Sequence, residues 1–352
     1  MRSVDFSRAE FVYRGLIYRR LLVLVSFVLA TFGLFLLDLC VGSSGIPIGD
    51  VISALIGECN NSIVSVIVWD FRLPWSLMAV AVGFALGVSG VVMQTILNNP
   101  LASPYTLGIS AGAGFGAALV YSLGISLIAV PGCGELVVPL NAFLFAFLTC
   151  LLILGIGKAR GFTYETLVLA GIAVAFLFHS LLSLMEYFAS EEALQAIVFW
   201  LFGSLVKSTL PKVMIVSAVT AVSLAVLLRM SWELTLLRLG DDRARALGVN
   251  PERARVIAML VVSVLTAVAV CFVGIIGFVG LVAPHIARML VGEDSRFLLP
   301  VSGLVGASIL SAAAIVCKTL IPGAIVPIGI VTSIIGIPFF LYLVVRGRRG
   351  VW

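Results

Sequence analysis

The sequence predicts an all-α, polytopic membrane protein, and three observations support that fold class. Hydrophobic residues make up 61% of the 352-residue chain, whereas charged residues make up only 11%. A soluble protein carries roughly a quarter charged residues. The mean hydropathy is +1.21, and the apolar residues fall in long runs separated by short polar or glycine- and proline-containing breaks. We therefore expect residues 1–352 to form a single transmembrane domain embedded in a lipid bilayer.

Ten apolar runs are candidate membrane spans, since a helix needs about 20 residues to cross the hydrocarbon core. The runs lie at residues 21–39, 72–96, 105–122, 139–157, 165–188, 211–229, 254–274, 278–292, 299–317 and 329–345. The eighth run is short and rich in glycine, which predicts a broken or strongly tilted helix. Two further segments fall short of a span. We expect residues 40–71 to form an external stretch with a short helix around Ile48–Ile56. We expect residues 191–204 to lie flat or re-enter at the outer face.

The basic residues orient the predicted spans, because lysine and arginine concentrate in cytoplasmic loops. With ten spans and both termini in the cytoplasm, only four of the 22 basic residues fall outside, and these are Arg72, Lys207, Lys212 and Lys318. The opposite orientation reverses this distribution. The sequence therefore predicts a multi-pass protein of the cell membrane (inner or cytoplasmic) with both termini cytoplasmic.

Several function classes are disfavoured by what the sequence lacks. It contains no G-x-x-x-x-G-K-[ST] phosphate loop, and His179 and His285 fall in different spans without a carboxylate or cysteine at metal-ligand spacing. We therefore expect neither an enzyme nor a bound metal or cofactor, and any ATPase would be a separate subunit. No basic, aromatic stretch predicts nucleic-acid binding. Asp38 and Glu186 lie near the ends of their spans, so an ion-gradient-driven secondary transporter is the weaker alternative.

The most informative polar stretch lies at residues 230–255. Asp241 is a candidate N-cap for a helix of about two turns, and Gly248 is suited to a left-handed stop at its end. Asn250 and Pro251 then predict the start of the next helix. A helix this short is unstable alone in water, so we expect it to pack on another surface. A charged cytoplasmic linker is the alternative.

Glycine and proline mark two irregular segments. Residues 98–108 (NNPLASPYTLG) contain two prolines and no basic residue, and proline breaks a helix. The segment leads into Gly108, Gly112 and Gly116, whose four-residue spacing predicts close helix packing. Within residues 274–294, Gly274, Gly277 and Gly280 are followed by Pro284, which predicts an irregular, kinked helix that is buried in protein or lines a cavity.

Five of the six cysteines divide into two groups by their positions, and the sixth, Cys40, lies close to the predicted external face. Cys150, Cys271 and Cys317 lie in or beside predicted spans and are expected to be packing residues. Cys59 and Cys133 fall in predicted external loops, where an oxidising environment favours disulfides. A disulfide between these two is therefore a hypothesis.

Five stretches carry a family resemblance. They are RLPW at 72–75, NNPLASPYTLGISAGAGFG at 98–116, LGDDRARALGVN at 239–250, GFVGLVAPHIARMLVG at 277–292 and PIGIVTSIIGIPFFLYLV at 327–344. In this order and spacing they resemble the permease subunit of type II ABC importers, a family that moves iron–siderophore complexes, haem and vitamin B12. The resemblance runs over residues 72 to 345, nearly the whole chain.

The resemblance implies an architecture and a set of partners. It implies ten spans per subunit and two permease subunits, either identical or closely related, around one central pathway. Two ABC ATPase subunits would bind below and would use ATP and Mg. An external substrate-binding protein would deliver a ferric siderophore, haem or cobalamin from above.

The resemblance also implies site residues. Residues 239–250 match the family's cytoplasmic coupling segment, which sits in a cleft of the ATPase, with contacts expected from Leu239, Gly240, Asp241, Asp242, Arg243, Ala244, Arg245, Leu247 and Gly248. The turn that narrows the cytoplasmic end of the pathway corresponds to Asn99, Pro100 and Leu101. The fifth span lines the pathway, with Leu169, Ala173 and Phe176 as candidates. Basic residues that would dock an acidic binding protein are limited to Arg72, Lys207, Lys212 and Lys318.

The sequence departs from the family pattern at four positions. Where relatives carry RLPR, this chain has Trp75. The family often has an aspartate and an arginine in the ninth span and a glutamate before the final P-x-G, and this chain has Ala314, Lys318 and Ile325 there. These departures are expected to alter docking or contacts at the outer gate.

Overall fold

The computed structural model describes residues 6–42, 45–58, 61–128 and 134–346. Within these ranges the chain forms fifteen α-helices and no strand, which confirms the all-α prediction. The helices are α1 Phe6–Cys40, α2 Ile48–Ile56, α3 Ser62–Val66, α4 Leu73–Ile96, α5 Ile109–Leu123, α6 Val137–Arg160, α7 Tyr164–Phe188, α8 Glu191–Leu201, α9 Leu210–Arg229, α10 Ser231–Leu237, α11 Asp241–Ala246, α12 Pro251–Val273, α13 Val279–Val291, α14 Ser295–Thr319 and α15 Ile328–Arg346.

Ten of these helices match the ten predicted spans in position. In the described part of the chain, seven helical segments are long and apolar enough to cross a membrane, by length and composition. The shorter apolar helices α5, α13 and α15 stand where the third, eighth and tenth spans were predicted. The third begins at Ile109 rather than at residue 105, because residues 98–108 fold into turns and loop before the helix.

Helix α4 lies at the centre of the bundle and packs on α9, α12, α13 and α14. Glycine permits its closest contacts, since a Cβ atom added to Gly83 or Gly87 would collide with the backbone of α14. One added to Gly90 would collide with the carbonyl oxygen of Gly280 in α13. Small residues therefore allow three backbones to approach directly, as in other close helix pairs in membranes.

Helix α7 lies at the periphery and packs by one side only. Leu167, Val174 and Phe178 are buried against α5 and α6. The other side remains exposed in the isolated chain, including Phe176, which is 70% exposed. The bundle therefore leaves a broad apolar surface of α7 without a partner among the described residues.

The glycine spacing of residues 108–116 has the predicted consequence. Gly112 and Gly116 face the backbone of α6 at Phe145 and Asn141, where an added Cβ would collide. Gly108 adopts a left-handed conformation with a φ of 78° and lies against Ala175 of α7. Close packing of α5 on its neighbours is thus confirmed.

The irregular segment before α13 is also confirmed. Residues 274–278 interrupt the helical run, with positive φ at Gly274 (73°) and Phe278 (67°). The carbonyl of Val273 accepts a hydrogen bond from the Ser204 backbone at 2.7 Å, and that of Gly203 accepts one from the Ile328 backbone at 3.2 Å. The ends of α8 and α12 therefore meet the start of α15.

Two short elements agree with the sequence. Helix α2 occupies the predicted Ile48–Ile56, where Val51 and Ala54 pack on Val64 and Val68. Helix α8 has 11 residues and is too short to cross a membrane.

Cys150, Cys271 and Cys317 are buried free thiols, as expected for packing residues. Cys59 and Cys133 lie outside the described residues, so their pairing remains a prediction.

Candidate functional site

The segment 239–250 forms a short helix flanked by two glycines with positive φ. Helix α11 follows Gly240, whose φ is 95°, and ends before Gly248, whose φ is 84°. The Asn250 side chain accepts a hydrogen bond from the Arg253 backbone at 3.1 Å and caps α12, with Pro251 in its first turn. The predicted stop and restart are therefore confirmed. The prediction that Asp241 caps α11 is wrong, because Gly240 occupies the cap and Asp241 is already helical.

The Asp241 carboxylate is bound by Arg255 of α12. Two guanidinium nitrogens of Arg255 donate to its two oxygens at 2.6 and 2.8 Å. These hydrogen bonds favour the charged form and lower the pKa of Asp241 below its ordinary value. The Arg255 side chain is only 3% exposed, so this bidentate pair fixes the start of α11 against the body of the bundle.

Arg255 also contacts two other segments at the same end of the bundle. Its Nε donates to the carbonyl of Ile96, the last residue of α4, at 3.1 Å. Its Nη1 donates to the carbonyl of Phe162, between α6 and α7, at 3.2 Å. One buried guanidinium thus joins three parts of the chain that are distant in sequence.

The outward side of the segment remains accessible. Leu239 is 48% and Leu247 is 55% exposed, whereas Ala244 is fully buried on the inner face of α11. A cavity of about 340 Å³ opens beside the helix and is lined by Arg245, Gly248, Val249, Asn250, Pro251 and Glu252. The segment therefore presents two apolar side chains and a concave edge on its outward side, while the Asp241–Arg255 pair anchors its inner side to the bundle.

The Asn99–Leu101 turn follows the end of α4. The Asn99 side chain accepts a hydrogen bond from the Leu101 backbone at 2.9 Å, and its carbonyl accepts one from Ala102 at 3.0 Å. Leu101 is 43% exposed. The turn lies three residues beyond Ile96, so it is covalently adjacent to the Arg255 contact.

A second ionic network joins other helices at this end of the bundle. Arg288 of α13 donates to Gln94 of α4 at 2.9 Å and to Glu293 at 3.1 Å, and Glu293 also pairs with Arg238. Arg20 of α1 pairs with Asp294 at 2.9 Å. The sequence analysis did not identify these pairs. The acidic pair at 293 and 294, just after a short helix with Arg288 in its last turn, is the signal that was available.

The predicted pathway residues lie on the exposed side of α7. Leu169 is 67% and Phe176 is 70% exposed, and Ala173 falls on the same face at helical spacing. The structure does not bring these side chains into contact with residues 239–250.

Two of the four proposed docking residues are buried, which makes that prediction wrong for Arg72 and Lys318. Lys318 of α14 pairs with Asp38 of α1 at 2.9 Å and lies 5.1 Å from the ring centre of Trp75. Arg72 donates to the carbonyl of Cys40 at 2.9 Å. Both cations therefore pair with oxygen atoms near the end of α1, the Asp38 carboxylate and the Cys40 carbonyl, instead of facing solvent.

The other two docking candidates are accessible. Lys207 is exposed and Lys212 is partly exposed, with the Lys212 ammonium donating to the Lys207 carbonyl at 2.9 Å. Across the described ranges, no group of three or more histidine, cysteine, aspartate or glutamate side chains is arranged to hold a metal ion.

Comparisons with known proteins find relatives over most of the chain. A model of the FecCD transport family matches residues 28–346. A Methanocaldococcus jannaschii protein named as an ABC transporter permease is 42% identical over 319 residues, covering 89% of this chain and 91% of the relative. The hemin transport system permease protein of Yersinia pestis is 36% identical over 283 residues, covering 80% and 84%. A solved ABC transporter in an inward-facing conformation has a TM-score of 0.80 at 33% identity, covering 92% of this chain and 99% of that one.

Proposed function

Because the chain belongs to the FecCD transport family, we propose that it forms the translocation pathway of an ATP-driven importer for a metal chelate or tetrapyrrole. Ferric siderophores, haem and cobalamin are the substrate class, which agrees with a hemin permease among the relatives and with the metal-chelate type to which the solved neighbour is assigned. The single observation that carries the proposal is the segment 239–250, which is rigidly anchored and exposed.

The exposed side of this segment is the contact surface for an ABC ATPase. Leu239 and Leu247 are roughly half exposed on either side of α11. Exposed apolar side chains on a short, fixed helix are suited to insertion into a complementary cleft. Two ATPase subunits bind ATP and Mg in this arrangement, and this chain binds neither and catalyses no reaction.

The exposed face of α7 lines the pathway together with a second permease subunit, identical or closely related. Leu169, Ala173 and Phe176 form part of an apolar wall. Such a wall offers few hydrogen-bond partners and therefore suits a large ligand that is passed along without being held tightly. Asn99, Pro100 and Leu101 narrow this pathway at its cytoplasmic end.

The proposal fixes the orientation of the bundle. Residues 239–250, the Asn99 turn and both termini lie on the cytoplasmic side, in agreement with the positive-inside rule. The opposite end receives the external binding protein. Lys207 and Lys212 are the accessible cations there, and they are the remaining candidates for pairing with an acidic docking surface.

Native mass spectrometry of the complex, gently extracted from its own membrane, tests the proposal. Two permease chains with two ATPase chains are expected. The double variant Leu239→Ser/Leu247→Ser should release the ATPase while the permease pair persists. Leu123→Ser is the matched control, because Leu123 is equally exposed (48%) but ends α5 at the far side of the bundle.

Transport assays separate the proposal from a gradient-driven carrier. We expect uptake into proteoliposomes to require the ATPase and ATP, with haemin, cyanocobalamin and a ferric hydroxamate offered in turn. Uptake by the chain alone under an ion gradient, without ATP, would overturn the assignment.

A further inference from the structure

Arg255 is the one residue of the described chain whose side chain hydrogen-bonds α11, the end of α4 and the α6–α7 loop together. Its partners are the Asp241 carboxylate, the Ile96 carbonyl and the Phe162 carbonyl, at 2.6 to 3.2 Å. The four hydrogen bonds use the Nε and both terminal nitrogens of the guanidinium. The side chain is nine-tenths or more buried, so water contributes little to satisfying it.

A buried guanidinium is stable only where its charge and its donors are matched. The planar fork fits a carboxylate in bidentate geometry and leaves other N–H groups for further acceptors. Ile96 supplies one of the carbonyls that a helix leaves unpaired at its C-terminus. The hydrogen bonds of Arg255 therefore form together only while all three segments keep their relative positions. Displacement of one segment disturbs the other two.

The contacts of Arg255 lead to both parts of the proposed pathway. Ile96 precedes the Asn99 turn by three residues, and Phe162 precedes the first residue of α7 by two. Asp241 begins α11, whose outward side is the proposed ATPase contact. Arg255 thus stands between the surface on which ATP hydrolysis acts and the elements that shape the pathway.

We propose that Arg255 is a positioning residue that transmits movement of residues 239–250 to the Asn99 turn and to the start of α7. This inference rests on the proposed function, since it assumes that an ATPase moves the segment. A conformational signal then reaches the narrow end of the pathway through hydrogen bonds to one rigid, planar group. Lysine carries the same charge but lacks the fork, so it holds Asp241 without also holding both carbonyls.

Hydrogen–deuterium exchange of the intact permease–ATPase complex, with and without ATP and vanadate, tests this inference. In the unaltered complex, adding ATP and vanadate should change the exchange rate at residues 239–250. It should also change the exchange rate at residues 98–104 by about fivefold, which corresponds to one hydrogen bond gained or lost. In Arg255→Lys the change at 239–250 should persist, whereas the change at 98–104 should fall below about twofold. Uptake per ATP hydrolysed should fall in parallel.

Two further variants complete the test. Asp241→Asn removes the charge of the pair with little change in shape and should reproduce the effect if Arg255→Lys assembles poorly. Arg20→Lys is the matched control, because Arg20 pairs with Asp294 at the same end but has no contact with α11. It should leave both exchange responses unchanged.

The outcomes separate the inference from the proposed function. Full responses at both segments in Arg255→Lys and Asp241→Asn would show that Arg255 transmits nothing. Loss of both responses would assign Arg255 a purely structural role in the shape of the segment, and would also overturn the inference. An unaltered complex that shows no response at residues 239–250 would refute the proposed function itself.

Discussion

Helices α4 and α7 have nearly the same length and hydropathy but opposite environments. The segments that contain them reach mean hydropathies of 2.1 for α4 and 2.3 for α7. In the most apolar stretch of each segment, 83% of the α4 residues but only 33% of the α7 residues are buried. Helix α4 carries Gly83, Gly87 and Gly90 along its contacts, whereas α7 carries large side chains on its open face. Hydropathy therefore identifies a membrane helix, and the distribution of small residues indicates whether it is central.

The contrast has a physical basis in how membrane helices associate. Lipid is as apolar as a leucine side chain, so burial of apolar surface gives little driving force, and close backbone packing matters more. Helix α4 uses this packing on several sides and forms a scaffold. Helix α7 uses it on one side and keeps the other available for the pathway and a second subunit.

The largest effect is expected from a substitution in the α4 scaffold. Gly90→Leu places a branched side chain against the Gly280 carbonyl and should prevent the bundle from closing, with loss of most folded protein. Overpacking is destabilising even in cores whose side chains can relax, and here the obstacle is the backbone of α13, which cannot move aside. Size-exclusion chromatography of detergent extracts measures the folded fraction.

Gly155→Leu in α6 provides the control for Gly90→Leu. An added Cβ at Gly155 meets no atom within 4 Å, so this variant should yield normal amounts of folded protein. Similar losses in both variants would show that the glycine contacts of α4 are not special.

The next effect concerns the charges that tie the start of α4 to its neighbours. Asp38 accepts from Ser76 of α4 and pairs with Lys318. Lys318→Met leaves a buried carboxylate without its cation, which costs about 3–5 kcal/mol. The double variant Asp38→Asn/Lys318→Met should recover most of the loss, because it removes both charges. Thermal unfolding in detergent measures the difference. A double variant as unstable as the single one would contradict this account.

A smaller effect is expected within α7, where two phenylalanines two residues apart differ in environment. Phe178 is 5% exposed and its ring lies 5.8 Å from Phe115 and 6.3 Å from Phe145, between ring centres. Phe178→Ala should cost about 3 kcal/mol of stability. Phe176→Ala, on the open face, should change stability by less than about 0.5 kcal/mol. Equal destabilisation in thermal unfolding would mean that the open face is packed in the isolated subunit.

The sequence predicted helix positions well because they depend on local composition. The α2 range, the left-handed stop at Gly248 and the Asn250 cap all follow from neighbouring residues. The roles of Arg72 and Lys318 were predicted wrongly, because a cation at the end of an apolar run resembles one in an external loop. The partner of Lys318, Asp38, is 280 positions away, and nothing in the local sequence reveals that pairing.

Arg255 was missed for a different reason, since a signal was present. Buried positions of α12 include Ala254, Ala258 and Val262, which define an apolar stripe at helical spacing. Arg255 falls within that stripe, whereas Arg253 falls outside it and is exposed. An arginine on the buried face of a helix requires partners, so the periodicity singles it out. The identity of the partners, at Ile96 and Phe162, requires the folded chain.

The smallest effect is expected at the turn that leaves the α4 scaffold. Asn99 holds the turn through its own side chain, which accepts from the Leu101 backbone at 2.9 Å. Asn99→Ala removes that acceptor and should accelerate hydrogen exchange at Leu101 by about fivefold, as expected for about 1 kcal/mol. Asn99→Asp keeps an acceptor oxygen and should leave the rate nearly unchanged. Helix packing should be unaffected in both, because the hydrogen bond is local. Equal exchange in all three proteins would show that contacts with α4 and α5, rather than Asn99, hold the turn.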